Sequence, residues 1–217
     1  MLTPSGPHPR HPPPPGNPGA ARSSILVERS PTLSDADERA LIARLRSGEI
    51  AALATLHERL GGAMSTLAAS MLRDRSEAED VVEEALMRVH HAGPTFRGER
   101  GLRTWTLRIV ANLCRDRLRR RRRFTGVPLE SSGPHESLAF DPVAEWDRSL
   151  DQRIVSEALE ASLAELPVDQ REAVVLRHRI GLTHEEMAET LGVPVGTVKS
   201  RIARGLAALR TAMKERL

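Results

Sequence analysis

Two clusters of side chains carry the strongest chemical signal in this chain. The first is Thr197, Lys199, Ser200, Arg201 and Arg204, packed within eight residues of one another. On a helical wheel at about 100° per residue, Val195, Val198, Ile202, Leu206 and Leu209 share a narrow arc, an apolar stripe. Thr197, Ser200 and Arg204 lie opposite, with the small Ala203 and Ala207 between them and Lys199 and Arg201 at the flanks. Hydroxyl donors at the centre and cations at the edges suit base edges and phosphates respectively. The second cluster is Thr104, Arg108, Asn112, Arg115 and Arg119, again a one-sided helical row, with Trp105 beside it. Guanidiniums, an amide and an indole can hold a single strand by stacking and phosphate contact. A second reading of Trp105, as the rim of a small core, stands next to that one. Arg fills seven of the nine positions from 115 to 123, more than a helix C-terminus needs for its dipole, so contact with a polyanion is expected.

The elements that position these clusters read as helices throughout. Thr183-His184-Glu185-Glu186 is a capping box that opens a short helix, and Gly192 suits the left-handed residue that ends it. Pro194 restarts the chain at the next helix. A short helix, a tight Gly turn and a longer basic helix make a helix-turn-helix, whose second helix enters the major groove with its early residues at the bases. Upstream, Ser34-x-x-Asp37 is expected to cap a first helix that stops near Gly48. A second runs from Ile50 to Leu72, loosened at Gly61-Gly62. Ser76-x-x-Glu79 is expected to cap a third, SEAEDVVEEALMRVHH, closed by Gly93-Pro94. The loop TFRGERG then leads to LRTWTLRIVANLCRDRLRRRRR. The helices LDQRIVSEALEASLAEL and DQREAVVLRHRI precede the helix-turn-helix, and no period-two strand pattern occurs.

Composition sets the frame. The chain has 217 residues, 40% hydrophobic but only 2% aromatic, so aliphatic side chains must fill the core. Its formal net charge of +3 says less than the clustering of its arginines. One cysteine, Cys114, excludes an internal disulfide and a thiolate metal cage; it falls on the apolar face of its helix, which argues against redox sensing. No run has the length of a transmembrane helix, and a cytoplasmic protein is expected. The segment 1–33 holds nine of the fifteen prolines and reads as a disordered tail. Residues 124–149, rich in Gly, Pro and acids, read as a flexible linker. The expected architecture is therefore all-α, with two small helical domains, 34–123 and 150–217, on a tether. Two weak contacts so linked raise each other's effective concentration on one nucleic acid.

Enzyme chemistry finds no frame. The adjacent acids Glu79-Asp80 and Glu83-Glu84 cannot face each other on a helix. His90-His91 diverge with no third ligand in view. No catalytic residue, metal site or cofactor is expected. A one-component transcription regulator is the competing class, but the acidic helix has no use in a protein that only binds DNA.

Three blocks, in this order, resemble the extracytoplasmic-function (ECF) group of bacterial sigma-70-type factors. SEAEDVVEEALMRVHHA resembles the family's core-polymerase-binding helix, FRGERGLRTWTLRIVANLCRDRLRRRRR its −10 segment, and LAELPVDQREAVVLRHRIGLTHEEMAETLGVPVGTVKSRIARGLAALR its −35-binding domain. The resemblance implies an RNA polymerase subunit that recognises promoters and helps melt the −10 region. It implies polymerase docking, on the β and β′ subunits, at Glu79, Asp80, Val81, Val82 and Glu83. It implies −10 contacts from Phe96, Arg97, Arg103, Trp105, Arg108, Asn112, Arg115 and Arg119, with an extruded base in the Thr95–Gly101 loop. It implies −35 contacts from Thr183, Glu185, Thr197, Lys199, Ser200, Arg201 and Arg204. It also implies control by an anti-sigma protein. The chain departs from the pattern at Glu84, Leu86, His90-His91 and Leu107, where the family favours Gln, aromatics, Val-Trp and Tyr.

Overall fold

The computed structural model describes residues 35–98, 101–125 and 150–217. Eight α-helices occur among them and no strand: α1 (Asp35–Arg46), α2 (Ala51–Leu72), α3 (Arg75–Ala92), α4 (Leu102–Thr125), α5 (Leu150–Glu165), α6 (Val168–His178), α7 (His184–Leu191) and α8 (Val195–Arg216), with a 3-10 turn at Gly93–Thr95. The tail, the cap expected at Ser34 and residues 126–149 of the expected linker 124–149 lie outside the described residues, while its first two positions, Phe124 and Thr125, are the last of α4.

The first unit is α1–α4, with α2 at its centre. Leu56, Met64, Leu67 and Ala68 of α2 are fully buried, together with Val81, Ala85 and Val89 of α3 and Leu107, Val110, Ala111 and Cys114 of α4. The Gly61-Gly62 pair does not interrupt α2, which runs unbroken from Ala51 to Leu72, and a Cβ at Gly61 would come within 3.0 Å of the His57 ring. The cap of α3 falls two residues earlier than the sequence pattern indicates. Asp74, in extended conformation, accepts the Glu77 N–H at 2.9 Å, and Ser76 is already inside the helix. The start of α4 is fixed from a distance: the Glu38 carboxylate of α1 accepts the Leu102 N–H, across 64 residues of sequence.

In the second unit, α7 opens on the expected box, with Thr183 Oγ1 accepting from Glu186 N and Glu186 accepting from Thr183 N. It ends at Gly192 with φ 69°, the left-handed conformation that glycine adopts without strain. The two units do not stand apart. Packing of α4 against α7 and of α2 against α6 joins Leu182, Met187, Ala173 and Val175 to the buried cluster of the first unit. Period and charge do not reveal this seam, because its apolar residues lie on faces that each unit also uses internally. Arg171 crosses it, donating to the Ser70 and Met71 carbonyls at 3.3 and 3.4 Å, which the end of α2 leaves without intrahelical partners.

Candidate nucleic-acid and polymerase interfaces

In α8 the apolar stripe is seated as the wheel indicates. Val198 is 0% and Ile202 8% exposed, while Lys199, Ser200, Ala203, Arg204 and Ala207 face solvent. Ser200 Oγ donates to Thr197 O at 2.9 Å and Arg204 Nε to Ser200 O at 3.3 Å, so both lie along the helix surface, open to an incoming partner. Arg201 is held back: its Nε lies 3.3 Å from Asp169 Oδ2 on α6. The Thr183 hydroxyl is spent in the cap, whereas Glu185 is exposed.

Gly205 explains how the helix reaches its seat. A Cβ there would sit 2.7 Å from Val174 Cγ2 and 3.2 Å from the Gln170 carbonyl of α6. Only a glycine lets α8 approach α6 this closely. Gly205→Ala should destabilise the second unit by about 1–3 kcal/mol through overpacking, although alanine is the better helix former. Thermal melting monitored by circular dichroism checks this, and an unchanged or raised melting temperature contradicts it.

On α3, Glu79, Asp80 and Glu83 face outward, whereas Val81 and Val82 are buried and hold the helix against the core instead of offering surface. The acids already have cationic neighbours: Arg75 Nε lies 2.9 Å from Glu79, Arg117 3.5 Å from Asp80 and 3.4 Å from Glu84, and Arg121 2.6 Å from Glu77. Two of the seven arginines counted in the α4 run therefore serve the α3–α4 junction, which the wheel did not separate from the rest.

The α4 row divides. Phe96 stacks on Trp105 with ring centroids 4.1 Å apart and planes at 16°, and Arg46 Nε donates to the Phe96 carbonyl at 2.7 Å. One face of the indole is thus taken, and Trp105 lines a groove of about 520 Å³ with Glu84, Met87, Arg88, His91, Ala92 and Ile109. Arg97, Asn112 and Arg119 are exposed, Arg119 paired with Asp116. Thr104, expected on the polar face, is buried, because the second unit covers that stretch. Arg103 donates to the Ile180 carbonyl and Arg108 Nη1 to the Glu189 carbonyl at 3.3 Å. Arg115 Nη2 donates to both oxygens of Glu172, at 2.8 and 3.0 Å, and its Nη1 to Asn112 Oδ1 at 2.9 Å. Residues 99 and 100 of the expected base-holding loop lie outside the described residues.

Burial shapes the titration of these groups. It pushes the Glu172 carboxyl up, against the pull of Arg115, and brings Arg171 down to about 10, with Arg73 adding repulsion. The Cys114 thiol is pushed up to about 12 by burial, and it is not a thiolate at neutral pH, in keeping with its apolar face. The described residues contain no group of His, Cys, Asp or Glu arranged to hold a metal, and no described helix is long and apolar enough to cross a membrane.

A capped helix-turn-helix beside an arginine-faced four-helix unit defines a two-part DNA-binding protein. Residues 56–124 match the family model for sigma-70 region 2, and residues 156–209 that for sigma-70 region 4. The ECF RNA polymerase sigma factor SigM of Mycobacterium tuberculosis is 35% identical over 81% of this chain and 83% of its own. SigW of Bacillus subtilis is 30% identical over 80% of this chain and 95% of its own. Among solved structures, CnrH in complex with the cytosolic domain of CnrY superposes with a TM-score of 0.61 at 26% identity, covering 82% of this chain and 97% of that one. RpoE bound to the anti-sigma factor NepR from Bartonella quintana gives 0.57 at 28% identity, covering 74% and 95%. This chain belongs to the ECF group of RNA polymerase sigma factors, within the sigma-70 family.

Proposed function

We propose that this sigma factor docks on core RNA polymerase through the outward acids of α3, grips the −10 strand with α4 and reads the −35 element with α8. It acts as a binding subunit and not as a catalyst, in the cytoplasm where polymerase works, and an anti-sigma protein restrains it. The observation that supports this most is α8 itself. Ser200 and Arg204 are presented outward on a helix seated by Val198, Ile202 and Gly205, behind a capped α7.

Promoter binding requires the two units to separate. The −35 and −10 centres lie ~25 base pairs apart, or ~85 Å at ~3.4 Å per pair. The 24 residues from 126 to 149 reach about 80 Å fully extended, so the tether matches that span.

Run-off transcription with purified core polymerase tests the reading. Transcript is expected only when both proteins are present; tight promoter binding without polymerase would instead mark a one-component regulator. In the same system Asp80→Lys, placed on an exposed position, should weaken core binding about tenfold or more, since it sets a cation where an acid docks. Undiminished pull-down of core by that variant removes α3 as the docking helix.

A further inference from the structure

The groove between α3 and α4 has an apolar floor and an acidic shoulder. Met87 stands 61% exposed at its edge, and Ala92, Ile109 and the side of the indole that Phe96 leaves open line it. Its one arginine, Arg88, is paired with Glu84 at 2.8 Å. A nucleic-acid strand would find no unpaired arginine there and a carboxylate in its path. The groove therefore suits an apolar ligand, and α3, with five acids against two arginines, suits a cationic one.

We infer that the groove takes residues 10–15 of this same chain, Arg10-His11-Pro12-Pro13-Pro14-Pro15, and that this segment screens α3 from polymerase. The screening rests on the assignment of α3 as the docking helix; the seating does not. Consecutive prolines favour polyproline II, which loses little entropy on binding and docks on aromatic-lined grooves. Trp105 supplies the aromatic wall, and the alkyl side chains of Met87 and Ile109 extend it. Residues 1–34 carry three arginines against one glutamate, so their charge is opposite to that of α3.

The segment also enters from a suitable place. Residues 1–34 lead into α1 at Asp35, and Glu38, one turn on, accepts the Leu102 N–H at the start of α4. Trp105 lies one further turn along α4, its N–H donating to the Gly101 carbonyl at 3.1 Å. Nineteen residues, 16–34, separate Pro15 from α1. A flexible chain of that length spans about 22–26 Å on average, several helical turns, so the prolines reach the groove without stretching. Tethering holds them at a local concentration on the order of 1 mM. A Kd of about 0.1 mM between segment and groove then keeps the groove covered about nine-tenths of the time. Polymerase that docks on α3 has to displace the segment first.

The test uses the full chain with Trp146→Phe, which leaves Trp105 as the sole tryptophan. Acrylamide quenching of its fluorescence reads how far the indole is covered. Pro12→Ser, Pro13→Ser, Pro14→Ser and Pro15→Ser combined should raise the quenching constant about twofold, because the covered state is lost. Met87→Lys, at an exposed position, should do the same from the side of the groove. A peptide of residues 8–18 should restore protection to the serine variant, half-maximally at about 0.1 mM, and leave the Met87→Lys chain unchanged. The serine variant should also bind core polymerase about tenfold more tightly than the parent. Equal quenching in the parent and both variants overturns the seating. Protection that rises with protein concentration assigns the groove to a second copy of the chain and likewise overturns it. Protection in the parent with no gain in core affinity for the serine variant overturns the screening. Failure of every chain to capture polymerase is a failure of the sigma reading and takes the screening with it, whereas quenching, which needs no polymerase, decides the seating by itself.

Discussion

With Lys199 and Arg204 both changed to alanine, run-off transcription from a promoter that needs its upstream hexamer should fall roughly 30- to 1,000-fold, about 2–4 kcal/mol. Both side chains are exposed, and neither belongs to the stripe that seats α8. Alanine is the best helix former, so the helix itself is unharmed. The loss should fall on −35 recognition alone, with core polymerase still captured by the variant at parental affinity. Removing one phosphate contact at Lys199 should also flatten the salt dependence of promoter binding by about one unit of slope. A variant that initiates at parental rates on that promoter, or one that loses polymerase as well, contradicts the placement of α8 on the upstream element.

The second large effect lies in the core. Met64→Ala should lower the unfolding free energy of the first unit by about 2–5 kcal/mol, measured by denaturant titration. Met64 is fully buried in α2, the helix against which α1, α3, α4 and α6 all pack. The cavity left there would loosen α3 and α4 together, so polymerase and −10 binding should weaken in parallel while the isolated geometry of α8 is retained. A loss below about 1 kcal/mol would mean that neighbouring side chains collapse into the space.

Much of this molecule is legible in its residues. The box at Thr183 and Glu186, the left-handed Gly192 and the stripe of α8 are local features, set within four or five positions of one another, and the structure has them where the pattern puts them. What sequence reading misses is long-range. Glu38 caps a helix 64 residues away, Arg117 and Arg121 leave the basic run to serve α3, and Glu172 reads as an ordinary member of an amphipathic helix. No periodicity reports such partners, because each is chosen by the packing of other helices. Gly205 is intermediate: it stands out as a breaker in a good helix, and its reason appears only when Val174 is placed beside it.

The seam also has a history within each molecule. Ribosomes add about 5–20 residues per second and domains fold as they emerge. The 64 positions between Thr125 and Glu189 then leave α4 bare for roughly 3–13 s. During that interval the nascent chain displays its full row of guanidiniums beside polyanionic messenger and ribosomal RNA, so the arrival of α6 and α7 is also the moment at which translation stops offering a naked cationic helix to the wrong nucleic acid.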